Sequence, residues 1–224
     1  VKRLARRRGP FAVGEWMMDS GAFTEITQHG RYRSGVEAYA AEIRRWAGNG
    51  KLLVAVAQDM MCEPFVLART GLTVAAHQRI TIERLDELVK QDTAGVPIMP
   101  VLQGYMPADY AAHVRAYGSR IGHGAWVGVG SVCKRNSAPK ETRAVLQAIL
   151  GVRPDLRLHG FGVKLTTLRH PEIRRLLYSA DSMAWSFEAR RQKRDPNSWV
   201  EAARFVARVA GADETPLPLL EAAA

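Results

Sequence analysis

The sequence predicts an α/β fold on a parallel sheet, of the (β/α)8 TIM-type barrel class. Three observations carry this expectation. Short apolar runs alternate with longer amphipathic ones six times over. Runs such as Leu52-Leu53-Val54-Ala55-Val56-Ala57 are almost continuously apolar, as strands buried on both faces must be. A polar residue closes nearly every run: Asp19, Asp59, Gln103, Ser131, Lys164 and Asp181. In a barrel these carboxyl ends converge on one face, where such enzymes place their chemistry, whereas a doubly wound sheet would not bring them all together.

The strands are expected at residues 11–18, 52–57, 98–102, 125–129, 156–161 and 180–186. In the helical segment 36–47, Val36, Tyr39, Ala40, Ile43 and Trp46 recur at spacings of three and four and fall on one face. Thr73 is placed to cap a helix that buries Ile82, Leu85, Leu88 and Val89. Pro107 suits a first helical turn, with Tyr110, Val114 and Tyr117 inward. Ser137 is the cap expected for the next helix, with Val145, Leu146 and Ile149 inward. Segments 171–178 and 198–210 complete the set. Six strand units are visible where a barrel needs eight, and the chain opens on a basic segment, residues 1–8. The first two strands are therefore expected to be missing or replaced. A single barrel domain is expected over residues 1–214, followed by a frayed tail at 215–224.

Composition narrows the function. No run approaches the ~20 apolar residues of a membrane span, and no secretory signal is visible, so no membrane partner is expected. Cys62 and Cys133 are too few and too far apart for a disulfide scaffold or a four-cysteine zinc site, which fits a reducing, cytoplasmic compartment. Lys and Arg number 32 against 22 acids, a net charge of +10, which favours a polyanionic partner over a neutral one.

Asp19, Asp59 and Asp181 each end an apolar strand. A desolvated aspartate there suits a nucleophile, a general base or a hydrogen-bond acceptor, while each alone would also serve as a helix cap. Gln103 offers an amide donor and acceptor suited to a purine edge or to tying down a loop. Gly128, Gly130 and Ser131 offer backbone N–H groups at a strand end. The six histidines show no metal-ligand spacing and read as structural or surface groups; no metal site is expected. Basic residues follow strands: Lys134, Arg135, Lys164, then Arg190, Arg191, Lys193 and Arg194. On the active face they would draw in phosphate backbones.

These residues carry a family resemblance. Asp19-Ser20-Gly21-Ala22-Phe23 resembles the Asp-Ser-Gly-Gly-Phe motif of tRNA-guanine transglycosylases. Val101-Leu102-Gln103-Gly104 is similar to their Val-Gln-Gly strand end, and Gly128-Val129-Gly130-Ser131 to their glycine pair. His159-Gly160-Phe161-Gly162-Val163-Lys164 and Asp181-Ser182 resemble the last two strand ends. The region after the last strand lacks the cysteines of the tRNA enzymes' zinc module. The run from Gln58 to Phe65 and Ala68-Arg69-Thr70-Gly71 resemble the DNA-acting branch, the DpdA-like deazapurine DNA-modification proteins. The resemblance implies a barrel that exchanges guanine in DNA for a 7-deazaguanine, 7-cyano-7-deazaguanine being the expected base, without a cofactor. It implies Asp181 as the nucleophile at C1′ and Asp19 as the acid/base. Ser20, Asp59, Gln103 and the backbone of Gly128, Gly130 and Ser131 would bind the base. DNA, the free base and an ATP-dependent modification protein are the implied partners. The alternatives are the same exchange on tRNA, a non-catalytic DNA-binding subunit, or an unrelated barrel enzyme acting on a phosphorylated metabolite.

Overall fold

The computed structural model describes residues 2–132 and 138–211. A short helix α1 (Lys2–Ala5) precedes β1 (Glu15–Met18), α2 (Ala22–His29) and α3 (Val36–Trp46). Then come β2 (Lys51–Val56), α4 (Pro64–Thr70) and α5 (Val74–Leu88), followed by β3 (Ile98–Met99), β4 (Val101–Leu102) and α6 (Pro107–Tyr117). The second half runs β5 (Trp126–Val129), α7 (Pro139–Val152), β6 (Arg157–Gly160), α8 (Leu165–Leu168), α9 (Pro171–Arg174), β7 (Ser179–Ala180), α10 (Ala184–Arg191) and α11 (Trp199–Ala210). It is an α/β protein in which every pair of neighbouring strands among the described residues is parallel.

The strands pair in chain order, β1-β2-β3 and β4-β5-β6-β7. The division falls at Pro100, inside one extended run. The carbonyls of Pro97 and Met99 accept from Ala55 and Ala57 on one side, and those of Pro100 and Leu102 accept from Gly128 and Gly130 on the other. This alternation is that of a single strand. Pro100 has no N–H, so one rung of the ladder is missing and the pairing is interrupted there.

Local chemistry explains most of the elements. Helix α3 buries the expected stripe, Val36, Tyr39, Ala40, Ile43 and Trp46, against Met18, Leu52 and Ala55. Each large side chain so buried contributes about 1.5–3 kcal/mol. Thr73 caps α5, its hydroxyl accepting from Ala76 N at 3.2 Å. Pro107 stands in the first turn of α6, and Ser198 caps α11.

Five expectations need correction. Val89, expected on the buried face of α5, is its C-cap and is exposed. Segment 11–18 becomes a strand only from Glu15, because the backbone of Phe11 pairs with the Asn49 amide instead (2.9 and 3.1 Å). Segment 180–186 ends as a strand at Ala180. Ser182 Oγ then accepts from Ala184 N at 3.3 Å, which turns the chain into α10. The helix expected over 171–178 stops at Arg174, and Tyr178 N returns to the sheet at Leu158 O (2.8 Å). Helix α7 has Ala138 at its N-cap and Pro139 in its first turn. The cap expected at Ser137 lies outside the described residues, as do Cys133, Lys134, Arg135 and the tail.

Two large clusters pack strands against helices. A third is made without helices: Val54, Val56, Met99 and Val101, with Met17, Trp126 and Phe161 packed on them. Its members come from five successive strands and the end of β6. Gly128 makes room for this cluster, since a methyl group there would lie 2.3 Å from the Phe161 ring. Gly128→Ala is therefore expected to destabilise the fold by about 1–3 kcal/mol through overpacking. Gly151→Ala, on α7 with open space around it, should be neutral or stabilising by up to about 1 kcal/mol. Urea midpoints of the two variants check the contrast.

Candidate active site

The carboxyl ends of the strands carry a buried polar network that the fold does not need. Asp59 follows β2, Gln103 follows β4 and Ser131 follows β5; all three are buried. Gln103 Nε2 donates to Asp59 Oδ2. Ser131 Oγ lies 2.7 Å from Gln103 Oε1 and 2.9 Å from Glu63 Oε2, and accepts from Cys62 N at 3.0 Å. Ser131 holds this place with a backbone φ of 56°. The Tyr32 hydroxyl brackets the Asp59 backbone, accepting from its N–H and donating to its carbonyl, both at 3.0 Å. On the far side, His113 Nδ1 lies 2.9 Å from Gln103 N, and Gln78 Nε2 donates to Gln103 O at 2.7 Å. Gln103 is thus held at its side chain by Asp59 and Ser131 and at its backbone by His113 and Gln78.

Gly130 is part of the same packing. A methyl group there would lie 2.0 Å from Gln103 Nε2. The N–H groups of Gly128 and Gly130 donate to Pro100 O and Leu102 O within the sheet (2.8 and 3.0 Å). They are not the free donors expected for a bound base, because a parallel ladder consumes strand N–H groups up to its last residue. What these glycines supply is space for Phe161 and Gln103.

Burial pushes the Asp59 carboxyl up to about 7; the Gln103 hydrogen bond opposes this, and the charges of Asp19 and Glu63 add to it. The Asp19 side chain reaches solvent, yet the protein crowds it on most sides. That desolvation raises its carboxyl pKa, backbone N–H groups of Gly21 and Ser20 oppose the rise, and the charge of Asp181 adds to it. Ser20 is buried beside Asp19 and lines a cleft of about 440 Å³ with Tyr32, Tyr39 and Gln58.

Asp181 is exposed and its loop is anchored to the end of β6. Its main chain donates to Gly160 O (3.2 Å) and accepts from Val163 N (3.0 Å). Its Oδ1 accepts from Gly162 N at 2.8 Å and lies 3.5 Å from His159 Nε2. Gly162 turns its N–H to this oxygen with a φ of 63°, a conformation that other residues adopt at a cost. Oδ2 takes no hydrogen bond from the described residues.

A family model described as DpdA, DeoxyPurine in DNA protein A, matches residues 1–204. The chain belongs to the DpdA family. No curated protein matches it. Membership associates this DpdA chain with deazapurine modification of DNA.

The expected nucleic-acid contacts of the DpdA chain divide into two groups. Lys164, Arg191 and Arg194 line a groove of about 590 Å³ beside α10 and α11, joined by Arg204 and Arg208. Arg190 and Lys193 are exposed on the same segment. The guanidinium of Arg194, however, is held by Glu201 at 2.6 and 2.8 Å, tying the end of α10 to α11. Lys134 and Arg135 lie outside the described residues. Among the described residues no cluster of His, Cys, Asp and Glu could hold a metal ion, and no helix is long and apolar enough to cross a membrane. The sequence did not single out Glu63, His159, Arg204 or Arg208. Only Glu63 carried a usable signal: an acid placed before Pro64, four residues after Asp59.

The pH dependence of stability follows from Asp59. Its pKa is raised in the folded state, so between about pH 4 and pH 7 the folded protein binds the extra proton. Stability from this group is complete below the unfolded value and is lost as pH rises through 7, by on the order of 2–4 kcal/mol. Urea midpoints should therefore fall from pH 4 to pH 7.5, and Asp59→Asn should flatten the fall. Parallel curves for the two proteins would contradict this assignment.

Proposed function

We propose that this chain is a DNA guanine transglycosylase, exchanging guanine in DNA for a 7-deazaguanine through a covalent aspartyl–glycosyl intermediate. The observation that carries the reading is the buried hydrogen-bonded set Asp59, Gln103 and Ser131, drawn from three strand ends, with the charge of Asp19 raising the Asp59 carboxyl and that of Asp181 raising Asp19. In this reading the three strand-end aspartates face one mouth. Two carboxylates flanking an N-glycosidic bond provide the logic of retaining glycoside chemistry.

In the first half-reaction Asp181 Oδ2 attacks C1′. The C1′–N9 bond breaks with its electron pair passing to the purine, and Asp19 gives the departing guanine a proton. In the second half the 7-deazaguanine N9 loses its proton to Asp19 and attacks C1′. The ester bond then breaks, and Asp181 is regenerated as a carboxylate. A carboxyl whose pKa is raised by crowding and by a neighbouring negative charge is suited to carrying the proton that the first half-reaction spends and the second returns. Asp59 and Gln103 present a carboxylate and an amide to the base edge, with Ser131 and Glu63 fixing the amide behind them. Ser20 belongs to the same wall.

The DNA branch is favoured by the family match, and the barrel by the strand-only cluster together with strands that pair in chain order. A doubly wound sheet would cover both faces with helices. In a barrel mouth the target base must leave the duplex stack, at a cost of a few kcal/mol. Lys164, Arg190, Arg191 and Lys193 would offset part of this by holding flanking phosphates, with Arg208 extending the groove; Arg204, like Arg194, is paired with Glu201 at 2.6 Å.

The test is Asp181→Asn, which keeps size and shape and removes the nucleophilic charge. The variant is expected to bind DNA, to exchange no base and to form no adduct on denaturing gels. The unmutated protein should form an adduct with guanine-containing DNA that disappears when the deazaguanine base is added. Base exchange by Asp181→Asn at the unmutated rate would overturn the reading.

A further inference from the structure

His159 is buried in β6, flanked by the ladder partners Gly128 and Ser179. Its two ring nitrogens have different surroundings. Nδ1 lies 2.9 Å from Ser179 Oγ, and Ser179 Oγ in turn lies 3.0 Å from Trp126 Nε1. An indole nitrogen only donates, so it occupies a lone pair of the Ser179 hydroxyl. The arrangement that satisfies all three groups has the hydroxyl hydrogen on His159 Nδ1. A neutral imidazole then carries its own hydrogen on Nε2.

Nε2 is fully buried and makes no hydrogen bond within bonding geometry. It faces Asp181 Oδ1 at 3.5 Å, the oxygen that also accepts from Gly162 N at 2.8 Å. The imidazole cannot easily turn away, because Trp126 and Phe161 meet it edge-on at 6.1 and 4.7 Å between ring centres. Two N–H groups thus address one oxygen of the carboxylate and leave the other clear.

We infer that His159 is a positioning residue for Asp181: the relay Trp126–Ser179–His159 fixes an Nε2–H that faces Oδ1 across 3.5 Å and closes onto it as the carboxylate attacks, so that Oδ2 is the oxygen presented to the sugar carbon. The inference rests on the reading of Asp181 as nucleophile. His159 keeps its hydrogen throughout. The same N–H favours the free carboxylate over the ester, and so assists departure of Asp181 in the second half-reaction.

Nitrogen-15 spectra of the imidazole in the unmutated protein test the relay without any turnover. They should show the hydrogen on Nε2, and Ser179→Ala should release that preference. In the exchange assay His159→Phe is expected to lower the rate about tenfold, with KM for DNA and free base unchanged and with a slower chase of the adduct. His159→Gln, whose amide can offer an N–H to Asp181 and an oxygen to Ser179, should recover most of the rate. A hydrogen on Nδ1, or His159→Phe exchanging at the unmutated rate while Asp181→Asn is dead, would overturn the role of His159 alone. Exchange by Asp181→Asn at the unmutated rate would remove the nucleophile reading and this role with it.

Discussion

A buried hydrogen-bond chain runs from Asp59 through Gln103 to Ser131 and Glu63, linking the ends of β2, β4 and β5. The rest of the mouth is arranged around it. Buried polar groups are tolerated only when partnered, so Tyr32, Gln78 and His113 are fixed in turn by the groups they serve. Gly130 must lack a side chain because Gln103 occupies its space. A core of this size could be closed more stably with apolar residues. Four polar side chains retained together at the strand ends are what the proposed base-recognition role would require.

Three aspartates of identical chemistry stand in different surroundings. Asp59 is buried and neutral-leaning, Asp19 is crowded at the surface, and Asp181 stands exposed on a loop. Burial raises the Asp59 carboxyl pKa and crowding that of Asp19, which in the proposed reaction would suit the first to the base edge and the second to the proton. The left-handed turn at Gly162 completes the division by clamping one Asp181 oxygen.

Much of this was legible in the residues. Apolar runs closed by polar side chains place Asp19, Asp59 and Gln103 just past strand ends, because those ends are set by local pattern. The glycines misled: Gly128 and Gly130 look like exposed donors, but their N–H groups belong to the ladder and their value lies in the missing side chain. The end of the strand at 180 was also hidden. The Ala184-Trp185-Ser186-Phe187 alternation suits a strand until Ser182 turns the chain. Arg194 reads as a phosphate contact until its partner Glu201 is seen across two helices. His159 appears in the sequence only as the start of a strand-end motif, since its own role depends on Trp126 and Ser179 from neighbouring strands. Features fixed by short-range pattern are readable; those fixed by pairing across the sheet are not.

The central claim is that these strand ends exchange a purine in DNA. Nucleoside composition of DNA and tRNA from cells expressing the protein, with the 7-deazaguanine base supplied, tests it most directly. The account predicts a 7-deazaguanine deoxynucleoside in the DNA, none in the DNA of cells expressing Asp181→Asn, and unchanged tRNA. A deazaguanine nucleoside confined to tRNA, or DNA modified equally by the Asp181→Asn protein, would contradict it.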